Sequence, residues 1–394
     1  MDLFDKCYKF TRAEEAMAQG YYPYFKAIQS GAGSSVTIDG RKFIMIGSNN
    51  YLGLTQDPRV KQAAIDALER FGSGCTGSRF LNGTLSLHEE LEAKLADFVH
   101  KEAALVFSTG FQTNQGTIST IAGKNDIIFS DRANHASIID GCRLSFGRVV
   151  KFKHNDMEDL EKQLARNNDN SAGKLIVSDG VFSMEGDIVN LPEMVRLAHK
   201  YQARIMIDDA HSCGVLGKNG RGTGEHFNME KDIDLIMGTF SKSFASLGGF
   251  IAGDKKVVSY IKHHARALIF SASMPPSAVA TVSKALDILQ QEPERLTRLW
   301  TNTRKMKTAF DEMGYNTGNT QTPIIPIILG DDMITFAFWK ALFEKGIFAN
   351  PVISPAVEPG RSLIRTSYMA THSDDELDQV LEIFYGVGKE FGLI

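Results

Sequence analysis

One lysine stands among unusually small residues near the middle of the chain. In the segment GTFSKSFASLGG, residues 238–249, Lys242 follows a run that is typical of a buried strand and is surrounded by Ser, Ala and Gly. A lysine is almost never fully buried unless another group neutralises or uses its charge. Because burial also lowers the pKa of an amine toward the neutral nucleophile, this position favours a lysine that forms an imine with a carbonyl compound.

Apolar runs elsewhere in the chain end in polar residues that could lie near this lysine. In an open parallel sheet, ligands collect beyond the carboxyl ends of the strands, so residues that follow such runs are the candidates. The run RIMID ends at Asp208 and is followed by His211, and the run KLIVSD leads into a turn that contains Ser183. Taken alone, each of these also fits an ordinary loop or a structural salt bridge.

A fourth run completes a pattern of groups that one ligand could use. The segment AALVFSTGFQTNQG predicts a strand that turns at Gly110 into a helix. Such a turn directs unpaired backbone N–H groups and the positive end of the helix dipole toward an anion, most simply a phosphate. An anion site, a strand-end carboxylate, a histidine and a lysine together match the needs of pyridoxal phosphate. Lys242 would hold its aldehyde, and Asp208 would keep its pyridine nitrogen protonated.

Charge, cysteine usage and failed motifs exclude several other classes. The chain has 394 residues and a net charge of -4, which predicts no basic surface for nucleic acid. The segment GSGCTG, residues 72–77, has the spacing of a dinucleotide fingerprint but follows a predicted helix instead of a strand. The four cysteines are scattered and the histidines lack metal-ligand spacing, so we expect neither disulfides nor a metal site. No apolar run reaches about 18 residues, which favours a cytoplasmic protein.

The order of elements predicts an α/β fold in three parts. Residues 1–55 form an N-terminal arm with one charged helix over about residues 2–19 and a hairpin that turns at Asp39 and Gly40. Residues 56–289 alternate helical stretches with seven short apolar runs, which predicts a large domain around a mostly parallel sheet. Residues 290–394 contain a long helix, two short strands and two more helices, which predicts a smaller α+β domain.

Five segments resemble the α-oxoamine synthases, a family of fold-type I pyridoxal phosphate enzymes that join an amino acid to an acyl thioester with loss of CO2. The similarity extends from about residue 21 to residue 371. The segments that carry it are GTFSKSFASLGG, DDAHSCGVLG, DGVFSMEGDIVNLPE, NHASIIDG and NNYLGL. The resemblance implies the aminotransferase fold of that family, with pyridoxal 5'-phosphate as the cofactor.

The resemblance also implies a role for each residue around the cofactor ring. Lys242 would form the imine with the cofactor and later move the α-proton of the amino acid. Asp208 would pair with the pyridinium nitrogen, and His135 would stack on the ring. His211 and Ser183 would hold the ring hydroxyl. Four of these residues, Lys242, His135, Asp208 and His211, are the expected catalytic set.

Further residues are assigned by the resemblance to the phosphate and to the substrate. The backbone N–H groups of Gly110 and Phe111, at the start of a helix, and the hydroxyl of Thr239 would bind the phosphate. Ala272 and Ser273 would reach it from a second subunit. An arginine would bind the substrate carboxylate as a planar two-pronged donor, and three residues would line the substrate entrance. These are Arg365, Asn50, Tyr51 and Ser241.

Three more segments are similar to one branch of the family, and they are GSRFLNGTLSLHEELE, FSASMPPS and ISPAVEPGRSLIRTSYMATH. This branch condenses L-serine with palmitoyl-CoA to 3-oxosphinganine, CoA and CO2 in the first step of sphingolipid biosynthesis. We therefore expect L-serine and a long-chain acyl-CoA as substrates, and a homodimer with shared active sites. A weak peripheral contact with a membrane stays open. Glycine C-acetyltransferase, 8-amino-7-oxononanoate synthase, an aminotransferase and a non-catalytic binding subunit are the alternatives.

Overall fold

The computed structural model describes residues 2–169 and 171–394, so the first residue of the predicted arm lies outside the described part. The helices are α1 Asp5–Tyr8, α2 Arg12–Ala18, α3 Pro58–Phe71, α4 Ser86–Phe98, α5 Gly110–Ile121, α6 Ala136–Leu144, α7 Met157–Arg166, α8 Leu191–Tyr201, α9 Thr223–His226, α10 Lys255–His264, α11 Arg266–Ile269, α12 Pro276–Gln291, α13 Pro293–Met313, α14 Asp332–Glu344 and α15 Asp374–Glu390. The strands are β1 Ser35–Ile38, β2 Arg41–Met45, β3 Ala103–Phe107, β4 Ile127–Asp131, β5 Arg148–Phe152, β6 Lys174–Asp179, β7 Arg204–Asp208, β8 Leu235–Thr239, β9 Gly249–Gly253, β10 Ile324–Gly330, β11 Ile347–Phe348, β12 Asn350–Val352 and β13 Ser362–Ser367.

A seven-stranded sheet forms the centre of the molecule, in the order β3-β9-β8-β7-β6-β4-β5. The pairs among β4, β5, β6, β7 and β8 are parallel, and β9 runs antiparallel between β3 and β8. Every residue of β4, β6, β8 and β9 is buried, because helices cover both faces and leave no side of these strands to water. Each strand lies on one of the seven apolar runs, which confirms the predicted α/β fold.

The antiparallel strand β9 brings the start of α5 close to the sheet. A Cβ atom at Gly249 would lie 2.8 Å from the Cα of Gly110 and 2.7 Å from the Oγ1 of Thr113. Only a residue without a side chain permits this approach. The amino end of α5 is therefore held against the carboxyl ends of the strands, where ligands bind in open sheets.

The N-terminal hairpin has the predicted turn, with φ of 48° at Asp39 and 71° at Gly40. Both values are positive, as a tight two-residue hairpin turn requires. Strand β2 also pairs in parallel with β11 of the C-terminal part, and Ile44 and Ile46 share a core cluster with Phe338 of α14. The hairpin thus packs as part of the C-terminal body, whereas the division at residues 55 and 289 stays a prediction.

The prediction of one helix over residues 2–19 is wrong. The structure has two short helices there, α1 and α2, and neither buries a residue. Isolated helices of this length are marginal in water, and most helical stability in proteins comes from packing of an apolar face. A charged segment with no face to bury therefore does not continue as one helix.

The C-terminal part contains the predicted long helix, α13, and the strands β10 and β13. Two short strands were not predicted, and β12 completes a small sheet in the order β10-β13-β12. Pro326 lies in β10 at the edge of this sheet, where the missing N–H of proline is tolerated. Strand β13 is central and presents Arg365. Within the described residues, no helix combines the length and apolar character that a membrane span requires.

Candidate active site

A cavity of about 240 Å³ lies at the carboxyl edge of the seven-stranded sheet. Its wall is formed by the ends of β6, β7 and β8, the start of α5 and the loop before α6. The structure brings nine predicted site residues together in this wall: Gly110, Phe111, His135, Ser183, Asp208, His211, Thr239, Ser241 and Lys242. Residues from five separate parts of the sequence therefore surround one space.

Lys242 is partly buried in the loop that follows β8. Burial lowers the pKa of its amine to about 8, although the negative charge of Asp208 acts in the opposite direction. Among the described residues, no hydrogen-bond acceptor or ion-pair partner holds its Nζ atom. An amine with this pKa and no fixed partner is suited to act as a nucleophile near neutral pH.

Asp208 is the last residue of β7 and is 3% exposed. Its Oδ2 accepts a hydrogen bond from Asn114 Nδ2 at 2.6 Å, and its Oδ1 accepts one from the N–H of Ala210 at 2.9 Å. Asn114 also donates to Ser137 Oγ at 2.8 Å. Asn114 was not predicted, and the only sign of its role in the sequence is that it is a polar residue on the buried side of α5.

Asp179, which was also missed, is the neighbour of Asp208 on β6 and pairs with it in the strand register. Its Oδ2 accepts a hydrogen bond from the N–H of His135 at 2.9 Å. Burial, and then the adjacent charge of Asp208, raise the pKa of Asp179 well above its usual range. The signal in the sequence was its place at the end of the run KLIVSD.

His135 precedes α6 and caps it with its own side chain. The N–H of Ser137 donates to His135 Nδ1 at 3.3 Å, and Ser137 Oγ lies 2.7 Å from the same nitrogen. Burial lowers the pKa of this histidine, so the ring is neutral at pH 7. Since Nδ1 accepts, the proton belongs on Nε2. The ring stands edge-on to Phe111, with centroids 6.3 Å apart.

The amino end of α5 forms an anion cradle. The first bond of this helix runs from Thr113 N–H to the carbonyl of Thr109 at 3.1 Å, which leaves the amides of Gly110 and Phe111 for a ligand. A Cβ atom at Gly110 would lie 2.6 Å from Thr239 Oγ1. The Thr239 hydroxyl therefore lies beside the amino end of α5, and all three residues line the cavity, as in phosphate sites at helix N-termini.

Tyr51 and His211 form a buried pair beside this space. Tyr51 Oη lies 2.7 Å from His211 Nδ1. Burial raises the pKa of Tyr51 to about 12, so the phenol keeps its proton and donates to the imidazole. Burial, followed by the nearby charge of Lys242, lowers the pKa of His211 well below its usual range. The pair is therefore neutral, and the other nitrogen of His211 is available to a ligand.

Arg365 lies on β13 and is 4% exposed. Its Nη2 donates to Asn49 Oδ1 at 2.9 Å, and its Nε donates to the carbonyl of Ser183 at 2.5 Å. Within the described residues it has no carboxylate partner. The predicted Asn50 donates to the carbonyl of Ala32 and to Thr55, and its role at the substrate entrance stays a prediction. Its neighbour Asn49, which was not predicted, contacts the arginine.

The two residues assigned to a second subunit lie outside the cavity wall of their own chain. Ser108 Oγ donates to the carbonyl of Ala272. Ser273 Oγ donates to the carbonyls of Gly77 and Gly83, at 2.8 and 2.6 Å. These contacts fix the loop before α12 on the segment that holds Gly77, and the role of both residues across a subunit boundary stays a prediction.

The donor set fits pyridoxal phosphate. The cradle of Gly110, Phe111 and Thr239 suits a dianionic phosphate, and Asp208 offers a carboxylate to a ring N–H. Lys242 supplies the amine that holds an aldehyde. The neutral ring of His135 offers a flat face to an aromatic ring.

Comparisons with known proteins agree with this chemistry. Residues 41–384 match the family described as aminotransferase class I and II. A serine palmitoyltransferase of Sphingobacterium spiritivorum is 54% identical over 98% of this chain and 97% of its own. An 8-amino-7-oxononanoate synthase of Symbiobacterium thermophilum is 45% identical over 95% of this chain and 96% of its own.

A solved structure of a serine palmitoyltransferase from S. paucimobilis with a bound PLP–myriocin aldimine has a TM-score of 0.96 and 38% identity over the whole of both chains. The fold, the cofactor and the reaction class expected from the sequence are thereby confirmed. The chain belongs to the class I and II aminotransferase family and, within it, to the α-oxoamine synthases, as a pyridoxal phosphate-dependent acyltransferase similar to bacterial serine palmitoyltransferases.

Proposed function

We propose that this chain condenses L-serine with palmitoyl-CoA, or a similar long-chain acyl-CoA, to 3-oxosphinganine, CoA and CO2, the first step of sphingolipid biosynthesis. The observation that carries the proposal is a buried Arg365 that has no carboxylate partner among the described residues and is bonded to Ser183, which lines the cavity of Lys242 and Asp208. These three groups suit an α-amino acid and a cofactor that activates it. The relatives named serine palmitoyltransferase support serine and a palmitoyl thioester as the pair.

Pyridoxal phosphate, when bound, supplies an electron sink for the bonds at the α-carbon of the amino acid. The chain supplies the base and the electrostatics. Lys242 Nζ, with a pKa of about 8, takes the proton from that α-carbon and later returns one. Asp208, held by Asn114 and Ala210, would accept a hydrogen bond from the ring N–H of the bound cofactor.

Arg365 binds the carboxylate of the amino acid. The carbonyl of Ser183 holds its Nε and Asn49 holds its Nη2, and no hydrogen bond among the described residues uses its Nη1. A planar guanidinium binds a carboxylate through two parallel hydrogen bonds, which also orients the α-carbon. The loss of CO2 requires that this grip is released.

His135 supplies a hydrogen bond to the thioester. Its Nδ1 accepts from Ser137, so Nε2 carries the proton and faces the cavity as a donor. A donor aimed at the developing oxyanion of an acyl transfer lowers the barrier by about 3 kcal/mol in comparable sites. A neutral histidine also avoids placing a second cation beside Lys242.

The exposed apolar residues near the cavity support a homodimer with shared sites. Phe80, Leu81, Leu247 and Phe270 are each more than half exposed, and Leu247 also lines the cavity. Large exposed side chains in one region mark an interaction surface. In the proposed dimer this surface meets the second copy, which would place Ala272 and Ser273 of one chain near the phosphate cradle of the other.

A panel of amino acids and acyl-CoAs tests the substrate assignment. Holoenzyme is mixed with L-serine, glycine or L-alanine and with acetyl-, octanoyl- or palmitoyl-CoA, and CO2 and free thiol are measured. The proposal expects the highest kcat/KM with serine and palmitoyl-CoA, with 3-oxosphinganine identified by mass. Since an 8-amino-7-oxononanoate synthase is 45% identical, the second candidate is a sister synthase. A preference for glycine or alanine would establish that reading and overturn ours.

A further inference from the structure

Two consecutive residues after β5, His154 and Asn155, connect two loops of the active site without lining the cavity. We call residues 131–135, which lead from β4 to His135, the His135 loop. We call residues 180–190, which contain Ser183, the Ser183 loop. Asp179, the residue before the Ser183 loop, is tied to the His135 loop directly, because it accepts a hydrogen bond from the N–H of His135. The far end is tied to it through residues 154 and 155.

The imidazole of His154 lies between a carboxylate of each loop. Its Nδ1 is 3.2 Å from Asp131 Oδ1, and its Nε2 is 3.1 Å from Asp187 Oδ2. Its ring also stands edge-on to Phe182, the residue before Ser183, with centroids 4.4 Å apart. One side chain therefore fixes the end of β4, the far end of the Ser183 loop and the residue next to Ser183.

Asn155 repeats these connections with its backbone and its amide. Its N–H donates to Asp131 Oδ2 at 2.7 Å, and its Nδ2 donates to the carbonyl of Ile188 at 2.9 Å. Its Oδ1 accepts from the N–H of Asn190 at 2.9 Å. The residue has φ of 49°, a left-handed conformation that asparagine adopts more readily than most residues.

The Ser183 loop is a hairpin whose two sides are thus both attached. Its sides pair at Val181 and Ile188, and the N–H of Gly186 closes its tip on the carbonyl of Phe182. The tip presents the carbonyl of Ser183 to Arg365. A shift of the far side of the hairpin at Ile188 would move Ser183, and with it the carbonyl that accepts the hydrogen bond from Arg365.

The charge state of His154 agrees with this role and argues against a metal site. One of its nitrogen atoms lies with an oxygen each of Glu185 and Asp187 in a group compact enough for an ion. Burial opposes protonation, yet the hydrogen bonds to Asp131 and Asp187 raise the pKa of His154 to about 10. An imidazolium has no lone pair for a metal. Glu185, the remaining carboxylate, is paired with Arg361 at 3.1 Å.

We propose that His154 and Asn155 are positioning residues that set the distance between the His135 loop and the Ser183 loop, and so place His135, Ser183 and Arg365 around the cofactor and the amino acid. The inference rests on the proposed function, because the roles of these three residues are part of it. The two residues act through the loops and touch neither ligand.

The test compares His154→Ala and Asp187→Asn with His199→Gln, each as holoenzyme. His199 is an exposed histidine of α8 that also faces a carboxylate, Asp232 at 3.6 Å. We measure visible circular dichroism of bound pyridoxal phosphate, KM and kcat for the amino acid, and far-UV circular dichroism. Asp187→Asn keeps the shape of the side chain, so it reports on the connection even if His154→Ala does not fold.

For both variants we expect a changed visible dichroism and a fall in kcat/KM of about 100-fold, which is typical of a displacement near 1 Å. The far-UV spectrum should be unchanged, and His199→Gln should match the unmodified protein. Visible dichroism and kcat/KM within twofold of the unmodified protein would overturn the proposal. A loss of kcat/KM that is fully explained by the fraction of unfolded protein would also overturn the proposal. Failure of serine as substrate would contradict the proposed function instead, since the visible dichroism requires no serine.

Discussion

Two buried arginines in this molecule have opposite surroundings. Arg79 lies two residues after Gly77, and its guanidinium donates to both carboxylate oxygens of Glu92, at 2.7 and 3.2 Å. Arg365 is just as buried but meets only an amide oxygen and a carbonyl, from Asn49 and Ser183. The charge of Arg79 is neutralised by the fold, whereas burial without a carboxylate lowers the pKa of Arg365. A buried cation that the fold leaves unneutralised is suited to bind an anion from outside.

The lysines show the same difference. Lys101 is partly buried, and its Nζ donates to the carbonyls of Glu230 and Ile233 at 2.7 and 2.6 Å. Lys242 has no such acceptor among the described residues. Arg79 and Lys101, which lie away from the cavity, are therefore bonded to acceptors of the protein that match their charge. Arg365 and Lys242 lack such partners among the described residues, and a bound ligand would supply them. This contrast separates residues that hold the fold from residues that do the chemistry.

The largest effect is expected at Lys242. Lys242→Ala removes both the group that holds the cofactor and the base at the α-carbon, so CoA release should fall by about 10⁴-fold. The exposed Lys262 provides the matched control, and Lys262→Ala should keep full activity. Turnover of Lys242→Ala within tenfold of the unmodified protein would assign the chemistry to another residue.

The next effect is expected at Arg365. Arg365→Met removes a charged hydrogen-bond donor worth about 2 kcal/mol, so the KM for serine should rise about 30-fold. The substitution leaves no carboxylate unpaired, but the acceptors of Asn49 and Ser183 lose their donor, so the free energy of unfolding should fall by about 1 kcal/mol, less than for a broken buried ion pair. Unchanged serine binding, measured by spectral titration, would remove Arg365 from the site.

Arg79 should show the converse. Arg79→Met leaves the carboxylate of Glu92 buried and unpaired, which should lower the free energy of unfolding by about 3 kcal/mol in urea titrations. The double variant with Glu92→Leu should recover most of that loss, because both charges are then absent. Serine KM should change less than twofold in the folded protein. A large rise in KM with intact stability would show that the comparison of the two arginines is wrong.

The smallest effect concerns pH. Since only the neutral amine is nucleophilic and burial lowers the pKa of Lys242 to about 8, the rate of pyridoxal phosphate uptake by apoprotein should rise with pH with a midpoint near 8. The charge of Arg365 contributes to this lowering, so Arg365→Met should move the midpoint to higher pH. A rate that is flat between pH 7 and 9, or a midpoint unaffected by Arg365→Met, would contradict the account.

The strands and the cavity residues at their ends were predictable from the sequence, because fully buried strands are near-continuous apolar runs and the sheet fixes where they end. Contacts between distant segments were not predictable in this way. Asn114 lies inside a helix, and nothing in its neighbourhood indicates that α5 brings it to Asp208. Asn49 meets Arg365 across most of the chain, and no local pattern around either residue indicates this contact.

The N-terminal part gives the same lesson at larger scale. The turn at Asp39 and Gly40 follows from local chemistry, and it was predicted. The pairing of β2 with β11 joins residues 303 positions apart, and its signal is only two apolar residues, Ile347 and Phe348. Burial in a shared core, which decides that pairing, is a property of the folded chain and not of any short segment.

The most direct test of the central claim is a mass spectrum of the holoenzyme after reduction with borohydride and digestion. If Lys242 holds the cofactor, the digest should contain one modified peptide, with the mass of a reduced pyridoxal phosphate adduct on Lys242 and on no other lysine. An adduct absent from that peptide, or found on Lys101 or Lys262 instead, would contradict it.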